Sequence, residues 1–267
     1  MIGAGQDFAF KVLTPNWTEL PKHVRAFSTL RSGGVSAGVY GNAQGQKGLN
    51  LGDHVSDDLE LVQTNRRLLN ATLPSDVIFL SQVHGNIVTE AETLQRGTNA
   101  DAVVSVTPGL VCAVLTADCL PVLFTDELGT IVAAAHAGWR GLAGGILENT
   151  VKEMRQKGAG EIVAWMGPAI GANKFEVGQD VYDVFTRQSE IAAKFFVKIA
   201  SENSDSKGQK YLADIYQLAR LALDRVGVSR VYGGDFCTVS EADKFYSYRR
   251  DGVTGRMASL IWIDPAK

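Results

Sequence analysis

The stretch LPVLFTDELGTIVAAAHAGWRG, Leu120–Gly141, decides how this chain folds. Leu120–Phe124 and Ile131–Ala135 are apolar runs too short for buried helices, and Asp126–Gly129 between them has turn composition. Neither run alternates with polar residues, as expected of strands covered on both faces. Upstream, Ala102–Val106 and Leu110–Leu115 have the same character, set apart by Thr107-Pro108-Gly109 and Thr116-Ala117-Asp118-Cys119. Downstream, Gly141–Lys157 carries Leu142, Ile146, Val151 and Met154 at helical spacing, with Gly158 and Gly160 available to end it.

Working outward, the patterning predicts further strands at Phe8–Leu13, Val24–Thr29, Val77–Leu80, Ile162–Met166, Arg230–Tyr232 and Ser259–Ile263. It predicts helices at Asp57–Ala71, Gln179–Arg187, Ile191–Phe196 and Tyr211–Val226, with Arg66 and Arg67 solvated on the first. Three segments read as loops: the glycine-rich Arg31–Leu51, the polar Ser201–Gln209, and Phe236–Arg256. Arg31–Leu51 reads as a surface loop or, more sharply, as an anion-binding lid that opens on Arg31; it lacks the spacing of a P-loop. No repeat or linker interrupts the chain. Residues 1–267 read as one α+β domain, with mixed β-sheets packed between helices.

Composition excludes several functions. A net charge of −3 gives no basic field for nucleic acid, and no apolar run approaches the roughly 20 residues of a membrane helix. No secretory signal opens the sequence, and three cysteines make a poor disulfide framework. The expectation is a cytoplasmic protein with reduced thiols and no nucleic-acid or membrane partner, monomeric or homodimeric.

A polar ring at the end of a buried run is costly unless something binds it. His136 stands in that position, as does His84 after the run that ends at Leu80, and Cys119 lies in a turn between two strands. His23 and His54 have no evident partner. The three residues are 35 and 17 positions apart, and they converge if their strand ends share one edge of a sheet. Two imidazoles and a thiolate suit Zn2+, and Cu2+ nearly as well; three ligands leave a fourth position open. Asp101 and Asp118 are candidates to orient a ligand or to move a proton. Arg140, and Arg249 within Phe245–Gly252, are candidates for an oxyanion, beside aromatic faces suited to a purine. Glu176 is a candidate hydrogen-bonding carboxylate.

These segments resemble a known family. RSGGVSAGVY (31–40), SQVHG (81–85), NADAVV (99–104), TADCLPVLF (116–124), HAGWRGL (136–142), GPAIG with FEVG (167–178) and FYSYRRDGVTGRMA (245–258) are similar to the YfiH-type laccase-domain proteins. Members of that family, once called multicopper polyphenol oxidases, are described as zinc-dependent purine nucleoside phosphorylases. One departure is the GNAQGQKG inserted before Asn50-Leu51. The resemblance implies a mixed α and β fold and metal ligation by His84, Cys119 and His136. It also implies phosphorolysis of adenosine, inosine, guanosine and methylthioadenosine, with adenosine deamination as a second activity. On that reading Arg140 and Arg249 hold phosphate and Asp118 helps protonate the departing base. Arg31, Asn50, Gln82 and Glu176 are then the candidates for substrate contact. Four histidines cannot build a multicopper cluster, and the H-x-E…P-C-x-x-C deaminase signature is absent. Two other functions remain open: a cysteine hydrolase with Cys119 as nucleophile, and a metal-binding or interaction protein without turnover.

Overall fold

The computed structural model describes residues 10–199 and 208–265. A six-stranded mixed sheet runs in the order Arg230–Gly233, Ile162–Met166, Leu120–Asp126, Val132–Ala137, Ala102–Ser105, Val88–Glu90. Its outermost pairs are parallel and the inner ones antiparallel. A four-stranded antiparallel sheet runs Val12–Leu13, Val24–Thr29, Met257–Ile263, Val111–Thr116. A three-stranded sheet joins Glu176–Gly178, Lys210–Ala213 and Phe196–Ile199.

The two-residue period of a strand divides each central strand between two cores. Val122, Phe124, Ala133 and Ala135 pack with Leu147, Val151 and Ala219 of the helices Ile146–Gln156 and Ile215–Arg225. Leu123, Val132 and Ala134 point the other way, into a layer shared with Cys112, Val114 and Ile261 of the four-stranded sheet. The far face of that second sheet, with Phe27 and Trp262 edge to face, is covered by Leu69 of the helix Leu59–Asn70. The layers are therefore helix, sheet, sheet, helices, the α+β arrangement of mixed sheets packed between helices. Strands buried on both faces have no use for alternation, hence the continuous apolar runs.

Several elements differ from the sequence reading, each for a physical reason. The helix expected over Gly141–Lys157 begins earlier, at Trp139–Ala143, and is broken before Ile146–Gln156 where Gly145 takes a positive φ of 87°. Tyr211–Ala213 belongs to a strand; Asp214 caps the helix that follows, accepting from the N–H of Gln217. Ile191–Phe196 is a 3-10 segment, Glu190–Phe195, that leads into the strand Phe196–Ile199. Among the described residues that strand pairs only with Lys210–Ala213, and Glu176–Gly178 is likewise invisible in the sequence. Val77–Leu80 forms no ladder with the described residues; Ser81 bridges Asn99 nearby. Arg66 is not solvated: it donates to the carbonyl of Leu51, pairs with Asp53 at 3.0 Å and lies over Phe79. Of the expected loop Ser201–Gln209, residues 201–207 lie outside the described residues, as do residues 8 and 9 of the expected first strand.

The glycine-rich segment is not a simple surface loop. Ser32–Ser36 is extended, and Leu49 and Leu51 are fully buried. Asn65 pins the segment: it donates to the carbonyls of Gly48 and Asn50 and accepts from the N–H of Val35. The inserted GNAQGQKG closes on itself, with the Asn42 side chain accepting from the N–H groups of Gln44 and Gln46.

Candidate metal centre and its surroundings

Antiparallel pairing of Leu120–Asp126 with Val132–Ala137 sets Leu120 opposite Ala137 and Pro121 opposite His136. Cys119, one residue before Leu120, is thereby brought beside His136. Alternation points His136 to the same side as Val132 and Ala134, toward the second sheet. His84 arrives on a loop rather than a strand end. Its φ of 59° is a left-handed conformation, uncommon for a residue with a Cβ. The ligand atoms of the three residues lie within 4.8 Å of one another. Cys119 Sγ is 3.8 Å from His84 Nε2, and the imidazole centroids are 4.8 Å apart at 78°.

Asp101, with no exposed surface, holds this arrangement. Its Oδ1 meets His136 Nδ1 at 2.8 Å and accepts from the N–H of His84 at 3.0 Å. Its Oδ2 accepts from the N–H groups of Val83 at 3.2 Å and Gly85 at 2.7 Å. One carboxylate thus pays the strain of the left-handed His84 turn and fixes the His136 tautomer, leaving Nε2 for a ligand. Burial alone would raise the Asp101 carboxyl, but the hydrogen bonds from His136 and from the backbone at 83–85 hold it below its ordinary value. Burial likewise opposes ionisation of Cys119, yet the His136 charge and the imidazole hydrogen bonds lower its pKa. His136 is raised in turn, against its burial, by Cys119 and Asp101. The set favours a thiolate, the form that binds metal.

The space beside the three side chains suits an ion. A Cβ on Gly138 would stand 3.0 Å from His84 Cδ2 and 3.1 Å from Cys119 Sγ, so the glycine keeps the cradle open. Tetrahedral zinc with ordinary bond lengths separates sulfur and nitrogen ligands by about 3.5 Å, close to what is found here. His84, Cys119 and His136 therefore form a possible metal-binding group. The remaining histidines are elsewhere engaged: His23 Nε2 is 3.1 Å from the carbonyl of Gly129, and His54 sits by Asp53. The described residues thus hold no second imidazole cluster with which to build a multicopper centre.

Asp118 adjoins the group, also with a positive φ, 87°. Its Oδ1 accepts from Thr238 Oγ1 and its Oδ2 from the N–H of Arg249, both at 2.6 Å. It thereby docks the short helix Tyr248–Asp251 beside Cys119. The Arg249 guanidinium is exposed, over Phe175 and 3.3 Å from the carbonyl of Lys174. Exposed Arg140 lies over its neighbour Trp139. Other expected contact residues have scaffold partners. Buried Arg31 donates to the carbonyls of Gly41 and Ala242. Gln82 makes a two-bond clasp with the backbone of Leu115, fastening the His84 loop to the second sheet. Asn50 is buried, and exposed Glu176 lies 3.4 Å from Lys210 Nζ. A groove of about 430 Å³ opens beside Tyr216, Asp235 and Cys237, and no residue of the His–Cys–His group lines it. The sequence reading did not single out Thr238, which carries no local signal because its partner is 120 positions away.

A family model described as multi-copper polyphenol oxidoreductase laccase matches residues 25–264. The chain is 46% identical over 256 residues to a Haemophilus influenzae protein named purine nucleoside phosphorylase, covering 95% of this chain and all of that one. It is 48% identical to the purine nucleoside phosphorylase YfiH of Escherichia coli strain K12, covering 95% and 99%. Among solved structures, a Neisseria meningitidis protein of the DUF152 family superposes with a TM-score of 0.84 at 50% identity, covering 95% and 99%. YlmD from Geobacillus stearothermophilus gives 0.79 at 29% identity, covering 97% and 98%. With its α+β layers, its His–Cys–His group and a match over nearly its whole length, the chain belongs to the multi-copper polyphenol oxidoreductase laccase family of YfiH-like proteins.

Proposed function

We propose that this protein is a purine nucleoside phosphorylase acting on adenosine, inosine, guanosine and methylthioadenosine, with adenosine deamination as a second activity of the same site. The observation that carries the reading is the convergence of His84, Cys119 and His136 around the open face of Gly138. Relatives that bear the phosphorylase name, matched over nearly the whole of both chains, support it. Zn2+ is the metal we assign to the group, since a neutral imidazole pair and a thiolate in a three-ligand set suit it; Cu2+ is the alternative. When bound, the ion supplies a Lewis acid beside the reacting nucleoside.

In the proposed reaction a phosphate oxygen attacks C1′ as the C1′–N9 bond breaks. The bonding pair leaves with the purine, which takes up a proton, and ribose 1-phosphate is released. Arg140, four residues after His136, and Arg249, whose backbone is held by Asp118 next to Cys119, carry positive charge for the phosphate. Asp118 serves by holding the backbone of Arg249, as its two hydrogen bonds suggest. Tyr248, exposed and beside Arg249, offers an aromatic face to the purine.

Purified, zinc-loaded protein incubated with adenosine tests this. Adenine and ribose 1-phosphate, formed only when phosphate is present, are the expected products. Inosine alone would leave a deaminase, and no product from the loaded protein would overturn the enzymatic reading. Turnover by metal-free protein with a free Cys119 thiol would favour the cysteine hydrolase.

A further inference from the structure

Arg256 stands immediately before the strand Met257–Ile263, inside the segment FYSYRRDGVTGRMA (245–258) but with no role read for it there. Its backbone is stapled to the glycine-rich segment. The N–H of Arg256 donates to Asn50 Oδ1 at 2.8 Å, and its carbonyl accepts from the N–H of Leu51 at 3.1 Å. Asn50 is in turn locked, accepting from the N–H of Gly52 and donating to Asp57 Oδ2. Gly52 lies against the Arg256 stem, so that a Cβ there would stand 2.8 Å from its Cγ. At the far end Nη1 donates to the carbonyls of Thr254 and Gly255, both at 3.1 Å. The guanidinium is therefore held from both ends.

The other arginines around the site differ from it. Arg31 donates to carbonyls from both ends of its fork, and Arg250 pairs with Asp251 and three carbonyls. Arg140 and Arg249 are exposed. Arg256 is half-buried, and its Nε and Nη2 make no hydrogen bond to any described residue. No carboxylate forms an ion pair with it among the described residues; Asp118 bonds Thr238 and Arg249 instead. Antiparallel pairing sets Met257 opposite Thr116, so Arg256 stands level with Ala117, two residues before Cys119, and burial pushes its guanidinium below the ordinary value. A fixed, desolvated guanidinium with two unused donors on adjacent nitrogens suits bidentate capture of a tetrahedral oxyanion.

We propose that Arg256 supplies the bidentate contact to inorganic phosphate at this site, in addition to the charge of Arg140 and Arg249, and that Asn50 and Gly52 position it. The inference rests on the phosphorolysis reading for the identity of the oxyanion. Asn50 then acts on the substrate through Arg256 rather than by touching it.

The test compares the zinc-loaded wild type with Arg256→Gln, Arg256→Lys and Gly52→Ala. With adenosine saturating, Arg256→Gln is expected to raise the KM for phosphate at least tenfold, while the KM for adenosine and the zinc content hold. Arg256→Lys keeps the charge but loses the fork and is expected to fall between. Gly52→Ala keeps Arg256 but displaces its stem, and raises the phosphate KM as well. A wild type that phosphorolyses adenosine beside a folded Arg256→Gln with unchanged phosphate KM overturns this inference and leaves the proposed function standing. If Arg256→Gln does not fold, the same comparison is read from the other two variants. A wild type without phosphorolysis overturns the proposed function instead. Calorimetric titration with inorganic phosphate then decides: binding weakened by Arg256→Lys or Gly52→Ala supports the oxyanion site, and unaltered or absent binding overturns it.

Discussion

Asp101 Oδ1 and His136 Nδ1 lie 2.8 Å apart, and the same carboxylate gathers the N–H groups of Val83, His84 and Gly85. Two ligands on different segments are thus oriented by one buried acid. Replacing Asp101 with Ala removes the partner of the His136 ring and the clasp on the His84 turn together. The expected outcome is a loss of metal affinity of about 10- to 100-fold. Competition against a chelator of known affinity measures it. Affinity within twofold of the wild type would show that the carboxylate does not orient the ligands.

Gly138 has φ −60° and ψ 155°, values open to any residue, so alanine there meets no backbone strain. Its effect comes only from the space it fills beside His84 and Cys119. Gly138→Ala is expected to lose most of its bound metal while the apo form keeps its melting temperature to within a few degrees. Metal analysis beside calorimetric unfolding separates the two. Full occupancy in the alanine variant would mean that an ion sits elsewhere.

Asp118 accepts from two donors as a charged group; asparagine in its place can still accept from the N–H of Arg249 and donate to the Thr238 hydroxyl, but both bonds lose their charge assistance. Asparagine tolerates the positive φ that the position requires. Asp118→Asn is expected to cost about 1–3 kcal/mol in denaturant unfolding with metal retained. Ala adds backbone strain and is expected to cost more. Equal stability of Asn, Ala and wild type would show that the contact with Thr238 and Arg249 contributes nothing.

Glu92 closes the turn after the strand Ala102–Ser105, with Oε1 accepting from Ser105 Oγ at 2.8 Å and from the N–H groups of Val106 and Thr107. Burial raises its carboxyl, but these hydrogen bonds outweigh it and the pKa falls below the ordinary value. A group lowered on folding contributes stability above its unfolded pKa of about 4.3, and loses it as pH falls through the folded value. Unfolding curves taken from pH 6 downward are expected to fall less steeply for Glu92→Gln than for the wild type. Parallel curves would remove Glu92 from the acid sensitivity.

Much of the architecture is legible locally. Leu120–Phe124 and Ile131–Ala135 announce themselves because strands covered on both faces need apolar residues throughout. The helix Leu59–Asn70 shows in its period and in Asp58, which caps it. The sheet that each strand enters does not show: Val111–Thr116 leaves its sequence neighbours to pair with Met257–Ile263, about 145 positions away. The three-stranded sheet was hidden for the same reason. Tyr211–Ala213 has residues that suit a helix face, and only its partners Glu176–Gly178 and Phe196–Ile199 make it a strand.

The sequence alone determined the chemistry available: two histidines and a cysteine at or near the ends of apolar runs, aspartates beside them, and a family resemblance spread along the chain. Residue type and burial are properties of a local pattern, so they can be read there. Only the tertiary structure decided that Asp101 serves His84 and His136 at once, that Gly138 faces both His84 and Cys119, and that Arg256 lies stapled to Asn50 beside them. The contacts that carry these roles join residues up to 206 positions apart, and their geometry is set by strand register and loop closure, which no local run of residues encodes.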